Sequence, residues 1–133
     1  AGHAGLFTTA DDLARFAQAM LAQGGMVFAP ATVERFTSPA SPPGLPVRGL
    51  GWDIDSPYAS QRGDLFRVGG YGHTGFTGTS IWIDPPTGSF VILLTNAVHL
   101  HERPSISGLR SRIASIAAAQ ANASAPSARG QVK

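Results

Sequence analysis

The chain has 133 residues, 43% of them hydrophobic, a formal net charge of +2 and no cysteine. Such a length and apolar content suffice for one buried core, the weak charge argues against a nucleic-acid partner, and the lack of cysteine excludes disulfides and thiolate-metal sites. The longest apolar run, Phe90 to Leu94, falls far short of the roughly 20 residues a bilayer crossing requires, so no membrane span is expected.

Thr9, followed by Asp11 and Asp12, reads as an N-cap with acidic residues in the first helical turn, where the helix dipole favours negative charge. Leu13, Phe16, Ala17, Met20 and Leu21 then share one face at three-and-four spacing, and Gly24-Gly25 supplies a left-handed stop. Pro30 to Phe36 predicts a shorter helix that opens on proline and ends before Pro39, after which Pro42, Pro43 and Pro46 mark an extended loop. Beyond the loop the pattern alternates. Leu50, Trp52 and Ile54 point one way and Gly51, Asp53 and Asp55 the other, which predicts a strand with Trp52 in the core. Thr79 to Asp84 alternates similarly, with Trp82 inward, Asp84-Pro85-Pro86-Thr87-Gly88 is turn chemistry, and Ser89 to Thr95 is a continuous apolar run suited to a strand buried on both faces. Together they predict an antiparallel hairpin, with Asn96 in the turn that follows.

A last helix from Ser105 aligns Ile106, Leu109, Ile113, Ile116 and Gln120 on a face expected to cover the sheet, and leaves Arg103, Arg110 and Arg112 as ordinary solvated charges. Residues 122–133 are Ala, Ser, Pro and Gly with no apolar period, and predict a loose tail. The pattern as a whole predicts an α+β unit over residues 1–121: helices over 9–37, an antiparallel sheet over 48–96, and a C-terminal helix over 105–121.

The segment Gly70-Tyr71-Gly72-His73-Thr74-Gly75 has the glycine spacing of a dinucleotide-binding turn, but that motif requires a following helix, and a strand pattern follows here. A kinase-type glycine loop would need a lysine on the next strand, and Lys133 is the only lysine in the chain. An acyl-transfer site gives every position a task. Negative charge grows on the carbonyl oxygen, and fixed backbone N–H groups stabilise it best. If residues 73–76 form a sheet edge, the Phe76 N–H can point at the substrate. Gly75 would allow close approach, and the Thr74 hydroxyl can donate and accept. His73 would add a charge that, unlike a lysine's, is only partial near neutral pH. Tyr71 and Thr77 flank these residues as candidate substrate contacts. The bland alternative for Thr74 and Gly75 is a tight hairpin. His99-x-His101 could place two imidazoles on one strand face, but no third ligand is in place, so no metal site and no cofactor are assigned. His3, beside glycine, reads as a loop hydrogen-bonder.

Four stretches carry a family resemblance: residues 1–16, Gly49-Leu50-Gly51-Trp52, residues 73–80, and Leu93-Leu94-Thr95-Asn96. In order and wording they resemble the C-terminal part of a class C-type serine β-lactamase or penicillin-binding-protein-like hydrolase. The resemblance implies that His73, Thr74 and Gly75 take the third-motif positions, that the Phe76 N–H is half of an oxyanion hole, and that an antiparallel sheet is flanked by helices. The family's Ser-x-x-Lys nucleophile motif and Tyr-x-Asn element are missing from this sequence. With Ala1-Gly2-His3 at the start and no signal-like segment, the chain reads as one portion of a longer enzyme. Its expected partners are therefore the upstream portion that carries the nucleophile and a small-molecule or peptide substrate. Histidine in place of the commoner lysine points to esterases, peptidases and cell-wall amidases, with peptidoglycan muropeptides among the implied substrates. The resemblance implies a periplasmic or secreted home, with a cytoplasmic one as the alternative, and predicts that the chain alone is inactive. The competing expectation is a non-catalytic binding or assembly module on the same scaffold.

Overall fold

A computed structural model describes residues 4–63, 69–99 and 105–124. Thr9 caps α1 (Ala10–Leu21) as the sequence predicts: its side-chain oxygen accepts from the Asp12 N–H at 3.2 Å, with Asp11 and Asp12 in the first turn. The helix stops in a run of left-handed residues, Gln23, Gly24 and Gly25, and a side chain at Gly24 would run into the Phe28 carbonyl. The second helix, α2 (Pro30–Thr37), opens on proline, whose missing N–H has no helical partner at that position anyway.

Among the described residues five antiparallel strands follow in spatial order: β1 (Val47–Arg48), β2 (Asp53–Asp55), β3 (Tyr71–Thr74), β4 (Ser80–Asp84) and β5 (Ser89–Leu93). Alternation along the strands divides the core into two layers. Tyr71, Ile81, Ile83 and Phe90 pack with Ala17, Met20 and Val33 of α1 and α2. Trp82 and Val91 face the other way, toward Ala59 in a 3₁₀ turn (Ala59–Arg62) and Ala114 and Ala118 of α3 (Ser107–Ser124). This is the expected α+β architecture, a sheet with helices on both faces.

The structure corrects the sequence reading of strands and helix faces in four places. Residues 50–55 are not one strand, because the chain turns at Gly51, whose φ is 82°, and only Asp53–Asp55 enters the sheet. Asp53 is not outward but 2% exposed, since Ser56 folds back to bind its carboxylate. The third correction is β5, which is half-buried along its length, because it lies at an edge of the described sheet and not between two strands. The last is the inner face of α3, which is Arg110, Ala114 and Ala118, while Leu109 and Ile116 are exposed, Ile116 by 70%. Small residues let this helix close on the 3₁₀ turn, where Gly63 lies so near Ser111 and Ser115 that a methyl group there would collide with them. Bulky side chains on that face would hold the helix away. Helix α3 also runs through residues 122–124, placed in the tail by the sequence, and residues 125–133 lie outside the described residues.

Candidate active site

β3 pairs with its two neighbours over different lengths. Toward β4 the ladder runs from Tyr71–Ile83 to Thr74–Ser80, whereas toward β2 it consists of Gly72 opposite Asp53. β3 is therefore an interior strand and not the edge expected for residues 73–76. Its openness is local, created where the chain turns away before Asp53. In that opening lies a shallow cleft of about 170 Å³ lined by Arg48, Asp53, Tyr58, His73 and Thr74. Complete small-molecule sites run to roughly 300–1,000 Å³, so this volume suits one wall of a site.

The lining is held from behind. Asp53 accepts from the Ser56 N–H at 3.2 Å and from the Ser56 hydroxyl at 2.7 Å. The Tyr58 N–H in turn donates to the Ser56 oxygen at 3.1 Å, which sets Tyr58 at the rim. The backbone of Arg48 is fixed by the proline-rich loop: its N–H donates to the Ser41 hydroxyl at 3.0 Å and its carbonyl accepts from Ala40 at 2.8 Å.

His73 stands between two partners of opposite character. Its Nδ1 is 2.9 Å from the Thr74 carbonyl and its Nε2 is 2.8 Å from Nη2 of Arg48. A carbonyl can only accept and a guanidinium can only donate, so the ring carries its proton on Nδ1 and accepts at Nε2. Arg48 adds a permanent positive charge beside His73, since arginine stays protonated at all ordinary pH.

Past Thr74 the chain makes the turn of residues 75–79, which is pinned at several points. The Gly75 N–H donates to the Thr79 carbonyl at 2.7 Å, the Thr95 hydroxyl donates to the Gly78 carbonyl at 2.7 Å, and the Ala97 N–H donates to the Thr77 carbonyl at 2.7 Å. From α3, one nitrogen of Arg110, Nη2, donates to both the Gly75 carbonyl at 2.7 Å and the Thr79 carbonyl at 2.8 Å, while Nη1 binds Oε1 of Gln61 at 2.7 Å. Arg110, expected in solvent, is 8% exposed. Burial pulls its pKa below the usual arginine value, and the three oxygen acceptors replace the water it has lost.

Gly75 is glycine because the Thr79 hydroxyl occupies the space a side chain would need, so its smallness serves the turn and not the approach of a substrate from that side. Phe76 and Thr77 lie exposed at the tip of the turn, outside the cleft lining, the Phe76 side chain by 80%. Tyr71, expected at the cleft, is a core residue: it is 3% exposed, with its ring 5.0 Å from Trp52, and burial raises its pKa. Tyr71 packs in the core cluster with Ala17, Met20, Val33, Ile54 and Ile83. Asn96 makes the expected turn, its side chain accepting from Val98 at 3.0 Å. His99 is exposed, while His3, His101 and Arg103 lie outside the described residues.

The sequence reading missed Arg48, Asp53, Tyr58 and Arg110. A signal existed for Asp53, because Asp-x-x-Ser is the spacing of a side-chain-capped turn. Arg110 had a weaker one, lying four and eight residues before the small Ala114 and Ala118 on the same helical face.

A beta-lactamase family model matches residues 1–114. The chain belongs to the beta-lactamase family. The matched span contains the whole cleft lining and the clamped turn, Arg110 included. Among its relatives are an N-acetylmuramyl-L-alanine amidase of Bacillus subtilis (strain 168), 38% identical over 111 residues that cover 74% of this chain and 23% of that protein. A protein of Escherichia coli (strain K12), provisionally named D-alanyl-D-alanine carboxypeptidase, is 36% identical over 104 residues, covering 74% of this chain and 24% of its own length. The crystal structure of a beta-lactamase from Mycobacterium bovis superposes with a TM-score of 0.67 at 25% identity, over 86% of this chain and 44% of that one. The chain thus spans about a quarter of the length of the curated relatives it matches.

Proposed function

We propose that this chain forms one wall of the active site of a serine acyl hydrolase that cleaves an amide, ester or lactam bond, with cell-wall muropeptides as the favoured substrate class. The observation that carries the proposal is the pairing of a polar cleft, which brings Arg48, Asp53, His73 and Thr74 together, with an immobilised turn directly after Thr74. The relatives named as an amidase and a carboxypeptidase support the substrate class. They also favour a periplasmic or secreted location.

In the proposed reaction a serine hydroxyl from a Ser-x-x-Lys motif outside this sequence loses its proton to the neighbouring lysine and attacks the substrate carbonyl carbon. The carbonyl oxygen takes the negative charge, shared between the Phe76 N–H and the N–H of that serine. Collapse breaks the bond to the leaving group, which takes a proton, and leaves an acyl-serine ester. Water then adds to the ester and releases the acid and the free serine. Arg48 and the Thr74 hydroxyl orient an acidic group of the substrate, in a cleft already held by Asp53 and Ser56. His73, held between Arg48 and the Thr74 carbonyl, keeps the guanidinium facing the cleft.

A serine-directed fluorophosphonate probe tests this on the 133-residue chain alone and on the chain joined to a portion bearing Ser-x-x-Lys. Labelling confined to the joined protein is the expected result. An unlabelled joined protein that is nonetheless folded removes the proposal.

A further inference from the structure

Gly75 C=O and Phe76 N–H belong to the same peptide unit. The unit is planar and trans, so its carbonyl and its N–H point in opposite directions, and whatever fixes one fixes the other. Arg110 grips that carbonyl at 2.7 Å, and with the same nitrogen it grips the Thr79 carbonyl at 2.8 Å on the other side of the turn. We infer that Arg110 is a positioning residue for catalysis: from the rear of the sheet it sets the direction, and raises the donor strength, of the Phe76 N–H that faces the developing oxyanion. This inference rests on the acyl-hydrolase function proposed above.

Two features single out Arg110 among the groups that hold the turn. First, its bond is charge-assisted. A cation on the carbonyl oxygen draws electron density through the amide and leaves the N–H more positive, so the donor is polarised before any substrate arrives. Thr95 and Ala97 hold carbonyls at Gly78 and Thr77, in other peptide units, and the bond that the Gly78 N–H also donates to the Gly75 carbonyl, at 3.2 Å, is longer and uncharged. Second, Arg110 cannot readily swing away. It is 8% exposed, its other terminal nitrogen is bound to Gln61 at 2.7 Å, and Gln61 lies in the 3₁₀ turn on which α3 packs. Oxyanion stabilisation depends on donors that need no reorganisation at the moment of reaction. A buried arginine anchored at both ends provides that at a distance from the substrate.

The test uses the protein joined to its Ser-x-x-Lys portion, with Arg110→Gln and Arg110→Lys. Rates are expressed per serine titrated by the fluorophosphonate, so that any misfolded fraction drops out. Deleting an oxyanion donor outright costs about 10²–10³ in kcat. Arg110→Gln leaves the Phe76 N–H in place but unpolarised and less well aimed, so kcat falls about 10- to 100-fold with KM within about twofold. A boronate transition-state analogue weakens by the same factor, whereas a carboxylate product analogue does not. Arg110→Lys, which keeps the charge, recovers part of kcat. Should the Gln variant not fold, the Lys variant decides: a fall in kcat at constant KM supports the role, and the parent kcat overturns it. A change in KM and kcat by equal factors, or unchanged boronate affinity, also overturns it. If the unmodified joined protein fails to label, the acyl-hydrolase proposal falls and takes this one with it. If the unmodified protein labels and turns over while both variants match it, only the role of Arg110 is lost.

Discussion

His73→Lys would install the commoner residue of the family's third motif, and the structure predicts that on its own it is harmful. In the parent, Nη2 of Arg48 donates to Nε2 of His73 at 2.8 Å. A lysine at 73 cannot accept that bond and brings a second cation to within about 4 Å of the guanidinium. Two unit charges at that separation repel by about 1 kcal/mol at the dielectric of water and about 4 kcal/mol at an effective dielectric of 20. Because His73 is exposed, the lower end applies. Adding the lost hydrogen bond, about 0.5–1.5 kcal/mol, gives a predicted destabilisation of about 2 kcal/mol. In an Arg48→Gln background the repulsion is gone, and His73→Lys should cost less than about 0.5 kcal/mol.

A double-mutant cycle therefore predicts a coupling of about 1–2 kcal/mol, measured as urea unfolding free energies of the four proteins joined to the Ser-x-x-Lys portion. The coupling should shrink in 1 M salt, where the Debye length is about 3 Å. The same proteins report on function. Arg48→Gln should lose about 10-fold in affinity for a carboxylate inhibitor, and the double variant should regain it, since the cation has merely moved across the pair. Additivity within about 0.3–0.5 kcal/mol, or a coupling indifferent to salt, would refute the assignment of the site's charge to Arg48.

Three further outcomes follow from the same geometry. Thr74→Val should lower kcat/KM of the joined enzyme about 10- to 100-fold, the worth of about 1.5–3 kcal/mol for a hydrogen bond to a charged group, with its unfolding midpoint nearly unchanged. Gly72→Ala should destabilise by about 1–3 kcal/mol in urea, because the added methyl would meet the ring of Trp82 and the Ile81 carbonyl. Burial raises the Tyr71 pKa above the ordinary phenol value of 10.0. The unfolded phenol therefore ionises first, so the stability linked to Tyr71 is intact below about pH 10 and is lost as pH climbs through the folded pKa. Tyr71→Phe should accordingly flatten the fall in stability above pH 10, as followed by circular dichroism, and an unaltered alkaline profile would count against the buried placement.

The parts of this fold that could be read from sequence are those whose signals are local. Thr9 and Asp12 lie within one turn of each other, and the period along Leu13 to Leu21 is a property of one helix. The alternation of Ser80 to Asp84 and the turn at Pro85–Thr87 likewise need no knowledge of distant residues. Misreadings arose where a distant partner decided the outcome. Asp53 was placed outward because alternation assigned it there, yet Ser56 and the cleft made an inward carboxylate stable. Counting bulky residues gave α3 the wrong inner face, whereas close approach to Gly63 selected small ones and an arginine. Tyr71 looked like a cleft residue through its nearness to His73 in sequence, but its ring is enclosed by Trp52 and the α1 core, contacts that only the folded chain supplies.

The same contrast bears on how the site is built. His73-Thr74-Gly75 is contiguous, but the groups that give it chemical meaning are not: Arg48 is 25 positions from His73, Thr95 is 17 from Gly78, and Arg110 is 35 from Gly75. The first two contacts need the sheet to be paired, and the third needs α3 docked behind it. The cleft and the turn are therefore coupled to the global fold, and a substitution at the α3 interface, such as one at Gly63, would reach the Gly75–Phe76 peptide by displacing Arg110 without touching the cleft. On the proposed function the tripeptide would mark the reacting centre, and the helix behind the sheet would set how rigidly the following peptide N–H is presented.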